Sequence, residues 1–237
     1  MIDQTIQRAQ VYYFLSHALL YPQENWPEDL PVLLERLEML EIPIDQGVGD
    51  LPAGMALDAL QAQHREVFGL TGSLLYETEL GMPHEFRQSQ ELADIAGFYR
   101  AFGFQAGGSR HERPDHLAAE LEFMYLLALK EAYALENGLV EQAGICQQAQ
   151  CAFLRDHLGR WVGLFNASLR QSSETRLGVS ANDSLYLDLA QLAQEFIASE
   201  LQRLGLQLEE GSLPEMKPTP FNPDFSCAGC AAAEPVQ

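Results

Sequence analysis

The chain is short of cations. Against 34 aspartates and glutamates it carries 14 lysines and arginines, a formal charge of −20. A nucleic-acid binder needs a basic footprint, so no nucleic acid is expected as partner. The same imbalance favours a basic partner, including a positively charged peptide. Cysteine is scarce too: four in 237 residues cannot staple a chain of this length. Cys146 and Cys151 fall within a helical pattern and read as small core or boundary residues. Strand signals are nearly missing, with no sustained β-branched alternation and no Asn-Gly or Asp-Gly turn between strand patterns. Every apolar run is broken by charge before it reaches a membrane span's length. "VYYFLSHALLY" at 11–21 has the length of a signal h-region but no basic n-region, and no small-residue cleavage site follows. It reads as a helix of the mature protein, and the expected compartment is the cytoplasm.

Catalytic fingerprints are missing as well. There is no nucleophile elbow, P-loop or Rossmann glycine pattern. Gly107-Gly108 follows a helical pattern rather than a strand and reads as a turn. "HERPDH" at 111–116 stretches the His-Glu-x-x-His spacing by one residue and interrupts it with proline, so its histidines cannot share a helix face. "HEFRQ" at 84–88 lacks a second histidine.

What is present is helical spacing in a chain that is 47% hydrophobic and 20% charged. The pattern predicts helices near 3–20, 28–40, 52–68, 89–102, 114–137, 139–158, 160–169 and 183–204. Pro22 ends the first, Ser89 is the N-cap candidate of the fourth, and Gly138 is the C′ residue of the fifth. "LTGSLLYETELGMPHEF" at 70–86 shows no period and reads as a loop over the core. The expected class is all-α: one globular bundle of seven to nine helices over 1–205. A proline-rich tail with no periodic apolar face, expected to be flexible, occupies 206–237.

The most crowded ionisable stretch is "ERPDHLAAELEFM" at 112–124. Pro114 suits a first helical position, and Asp115 in a first turn suits the helix dipole. Leu117, Leu121, Met124 and Ala128 form the stripe that faces the core, and His116 and Glu120 share a face beside it.

"ERPDHLAAELEFMYLL" resembles the signature of the TorD/DmsD type of redox-enzyme maturation chaperones. "LLYETEL" around Tyr76-Glu77 and "ELADIAGFYRAFGF" resemble two further segments of that family, in the same order. The likeness covers roughly 11–204. Leu75 departs from it, standing where the family usually has proline. The resemblance implies an all-helical binding protein rather than an enzyme. Its client would be the catalytic subunit of a molybdenum oxidoreductase, held by a twin-arginine signal peptide until the cofactor is inserted. It implies a client-binding set of Tyr76, Glu77, Pro114, Asp115 and His116. On chemical grounds Asp115, Glu77 and Glu120 suit guanidinium forks, while Leu75, Tyr76 and Phe86 suit the apolar stretch of such a leader. His116 would sense protonation or orient Asp115. Transient contact with the molybdenum cofactor or a guanine nucleotide stays open, as does the choice between monomer and helix-exchanged dimer.

Cys227 and Cys230 form a Cys-x-x-Cys, half of a tetrahedral metal site. No second half lies nearby, and the βαβ context of a thioredoxin-like motif is missing. The alternative function is therefore a metal or redox carrier that uses this pair.

Overall fold

Leucines and aromatics recurring every three to four residues give each rod one apolar face, and stacking those faces is what folds the chain. The computed structural model describes residues 2–43, 55–69, 72–80, 85–105, 112–177 and 184–207. The helices are α1 (Ile2–Ala18), α2 (Leu30–Met39), α3 (Leu57–Phe68), α4 (Glu85–Phe102), α5 (Leu117–Glu136), α6 (Val140–Asp156), α7 (Leu158–Leu177) and α8 (Leu185–Arg203). Short 3₁₀ turns cover Trp26–Asp29, Gly72–Leu75 and Glu77–Glu79. Among the described residues there is no strand, only an isolated antiparallel bridge between Tyr76 and His116. The all-α class and, among the described residues, the eight rods match the sequence pattern.

Boundaries differ where local chemistry outweighs apolar period. Ser89 is no cap, because α4 begins a turn earlier at Glu85. Met55 and Ala56 precede α3, which starts at Leu57 rather than near 52. Nor does α7 stop at Leu169. It continues to Leu177 through Gln171, Ser172 and Ser173, which keep helical geometry although they lack an apolar period. Pro114 does not open α5. His116 is its N-cap and Leu117 its first residue, so Asp115 lies just outside the helix.

Three helices end in the same way. Gly103, Gly138 and Gly205 adopt φ of +69°, +68° and +66°. The next residue's N–H reaches back to close the turn: Phe104 to Tyr99, Leu139 to Ala134 and Leu206 to Leu201. After α4 this reversal has a packing consequence. Phe104 folds edge-on against Tyr99 at 4.7 Å, and both rings meet Phe123 of α5. Phe123 also meets Phe98, Phe102 and Phe153, so α4, α5 and α6 share one aromatic cluster. α5 is the central rod, packed most extensively on α1 and then on α6, while α7 pairs with α8.

A buried ionic knot ties the far ends together. Arg8 of α1 places Nε 2.9 and 3.0 Å from the two carboxylate oxygens of Glu200 in α8. Its other face meets Gln150 of α6 and, at 3.7 Å, Glu131 of α5. Tyr12 and Arg203 complete the Glu200 shell. The expected division at 205–206 cannot be followed further, since residues 208–237, with Cys227 and Cys230, lie outside the described residues.

Candidate functional site

The entrance to α5 is built by two segments far apart in sequence. Residues 76–79 cross over 112–116, and the Glu77 N–H donates to the Asp115 carbonyl at 2.9 Å. Tyr99, the tyrosine of the aromatic cluster, donates from its hydroxyl to the Pro114 carbonyl at 2.7 Å. The ring packing of α4 on α5 therefore fixes the backbone of the motif.

His116 is a helix cap. Its Nδ1 accepts from the Ala118 N–H at 3.1 Å, which requires a neutral ring protonated on Nε2. Burial lowers its pKa, outweighing the opposing pull of Glu112 and Asp115. The ring stands edge-on to Tyr76 at 5.0 Å.

Asp115 is completely buried, and both of its oxygens accept hydrogen bonds. Oδ1 accepts from Arg113 Nε at 3.0 Å, and Oδ2 from Arg113 Nη2 at 2.8 Å and the Thr78 hydroxyl at 2.7 Å. Arg113 also gives Nη1 to Glu79 at 2.6 Å and Nη2 to Thr78. Its guanidinium lies over the Tyr76 ring, 4.7 Å from the centroid. The Tyr76 hydroxyl donates to Glu112, and burial together with that carboxylate pushes its pKa up to about 12.

Beneath this outer shell lies a second charged set, centred on a buried histidine and reaching the surface at Asp94. His157, between α6 and α7, sits 3.1 Å from Glu77 on one side and 3.1 Å from Asp94 of α4 on the other. Burial opposes a charged imidazole there, but the two carboxylates outweigh it and the pKa is raised. Glu120 has no exposed surface. Its Oε2 accepts from the Trp161 indole of α7 at 2.9 Å, and its Oε1 accepts from nothing. Burial first, and then the Glu77 charge, drive its pKa well up. Glu120 thus holds its proton more strongly than an exposed glutamate does.

The structure brings Tyr76, Glu77, Pro114, Asp115, His116 and Glu120 together, as the sequence suggested, but sorts them differently. Glu77 and Glu120 are framework, buried and partnered from inside, so the expectation that they present carboxylates to an incoming arginine needs correction. Asp115 already holds a fork from Arg113. Leu75 is 5% exposed and belongs to the core. Phe86 is in the first turn of α4, but its side chain lies outside the described residues, as does His111. The outer face carries Tyr76, Thr78, Glu79, Glu112, Arg113 and Pro114. Thr78, Glu79, Asp94, His157 and Trp161 were missed from sequence. The only signal near any of them was the break the pattern placed at Gly159, two residues after the one the structure makes at His157.

At the opposite end of α5 a second feature opens. A cavity of about 430 Å³ lies between the α5 and α6 ends, lined by Phe102, Leu129, Tyr133, Leu139, Ile145 and Cys146 among others. Tyr133, Val140 and Ile145 leave much apolar surface exposed beside it. Among the described residues no group of histidine, cysteine and carboxylate side chains could hold a metal, and no helix is long and apolar enough to cross a membrane.

A family model described as the nitrate reductase delta subunit matches residues 23–167, more than half of the chain. The chain belongs to that family. It is thereby one of the molybdoenzyme maturation chaperones, as the "ERPDH" signature indicated. The perchlorate reductase assembly chaperone protein of Dechloromonas aromatica (strain RCB) is 27% identical, covering 87% of this chain and 94% of that one. The selenate reductase assembly chaperone protein of Thauera selenatis is 32% identical over the same shares. The chlorate reductase assembly chaperone protein of Ideonella dechloratans is 28% identical over 67% of this chain and 77% of its own. These family members are named for assembly rather than catalysis.

Proposed function

We propose that this chaperone serves one molybdenum oxidoreductase in the cytoplasm. It binds the twin-arginine leader or the apo-form of the catalytic subunit and keeps that subunit ready for cofactor insertion. The observation that carries the reading is the α5 entrance, an aromatic and carboxylate shell that already accommodates a guanidinium. A net charge of −20 adds long-range attraction for a basic leader. The apolar stretch after the arginines suits the cavity between α5 and α6. From residue 116 to residues 130–134 is about 20–27 Å at 1.5 Å per residue, within reach of about eight extended residues.

Titration calorimetry with a synthetic twin-arginine leader tests this. Replacing both arginines by lysine keeps the charge but removes the fork, and affinity falls at least about tenfold. Ile145→Glu weakens the parent leader by placing a charge in the apolar cavity. Equal affinity for the arginine and lysine leaders, or no binding of either, refutes the proposal.

A further inference from the structure

The Arg113 contacts go beyond a surface ion pair. Asp115 has no exposed surface, and a carboxylate in that position requires a hydrogen-bonded cation. Arg113 supplies it while its own side chain stays 37% exposed. The cation is thus held at the rim by a receptor whose key anion is deep. The receptor has four walls: the Asp115 carboxylate, the Thr78 hydroxyl, the Glu79 carboxylate and the Tyr76 ring face. Together they match a guanidinium in charge, planarity and fork spacing, and an ammonium would use only part of them.

The walls do not depend on Arg113 for their own placement. The Tyr76–His116 bridge and the Glu77 N–H to Asp115 carbonyl bond hold the two segments together through backbone. Thr78 donates to Asp115 independently, and Gln88 of α4 donates to the Thr78 hydroxyl at 3.2 Å. Glu79, at the open edge, is 36% exposed.

We propose that this is a guanidinium-binding site occupied in the free protein by the chain's own Arg113, which swings out when an arginine of the client leader takes its place. The displacement step rests on the proposed function; the receptor itself does not. Arg113 serves as a stand-in that keeps Asp115 paired while no client is bound. It also sets a threshold, since a lone lysine-rich segment cannot replace the fork it would have to evict. An arginine that leaves the shell is free to pair with the carboxylates of this acidic surface, so displacement strands no charge.

The experiment uses the full chain with Arg113→Ala, and Arg113→Lys as a variant that keeps the charge. Methylguanidinium is the first probe, with methylammonium at equal ionic strength as control. Both variants bind methylguanidinium at least tenfold more tightly than the parent, and it raises their melting temperature where methylammonium does not. Identical responses from parent and variants overturn the receptor. The second probe is the twin-arginine leader, whose affinity rises about tenfold in Arg113→Ala while the lysine-substituted leader gains nothing. Unchanged or weaker leader binding in Arg113→Ala overturns displacement. Failure of the leader to bind any form overturns the client reading, and the methylguanidinium comparison still decides the receptor.

Discussion

Glu120→Gln should stabilise this protein at neutral pH. Glu120 is buried and hydrogen-bonded to the Trp161 indole, and burial and then the Glu77 charge raise its pKa. In the unfolded chain the same carboxyl titrates near about 4.3 and is ionised at pH 7. Between that value and the raised folded one, folding takes up a proton, at a cost of about 1.4 kcal/mol for each pH unit. The sign follows from the raised folded value: the contribution is fully present below about pH 4.3 and is lost as pH rises towards the folded pKa. Glutamine keeps the Trp161 contact, its carbonyl accepting from the indole, and its amide takes the place of the unpartnered Oε1, a cost of about 1–2 kcal/mol. Above the unfolded value the glutamine variant gains on the parent as pH rises, and each 1 kcal/mol gained is about 2–4 °C in melting temperature for a chain of this size. At pH 4 the leftover amide makes the variant the less stable of the two, so the two stability curves cross above about pH 4.3. Urea unfolding followed by circular dichroism at half-unit pH steps reads this directly. His157, also raised, gives both proteins a decline in stability that starts near about pH 6.5 and ends above its folded value. Parallel curves without a crossing, or a variant weaker at every pH, would show that Glu120 is ionised in the fold.

Arg8→Met removes the cation that joins α1 to Glu200 and Glu131, both almost fully buried. Arg203 still pairs with Glu200, so the loss falls at the low end for a broken buried pair, about 3 kcal/mol; a urea midpoint shift worth less than about 1 kcal/mol refutes it. Gly138→Ala tests the end of α5. Its φ is +68° and an added Cβ meets nothing within 4 Å, so the expected cost of about 1 kcal/mol is backbone strain alone, and Gly138→Asn should cost less. Equal losses for alanine and asparagine would point to packing instead.

Much of the rod pattern is legible in the sequence because burial of one helix face imposes a local period. The stripe of Leu117, Leu121, Met124 and Ala128 and the reversal at Gly138 are each fixed within a few residues of themselves. The "ERPDH" string likewise marks the α5 entrance without any knowledge of its neighbours. Helix limits were less legible at Ser89 and beyond Leu169, where polar residues carry no period although tertiary packing keeps the helix going.

What only the tertiary structure decided is which of the motif's charges face outward. Local order places Glu77, Asp115 and Glu120 as equivalent acids. The fold makes one a buried acceptor of the Trp161 indole N–H, one the partner of His157, and one the seat of Arg113. Those roles come from residues 41, 80 and 2 positions away. A carboxylate's protonation and reach depend on the dielectric and the charges around it, and those are set by which rods meet, not by the order of residues along any one of them.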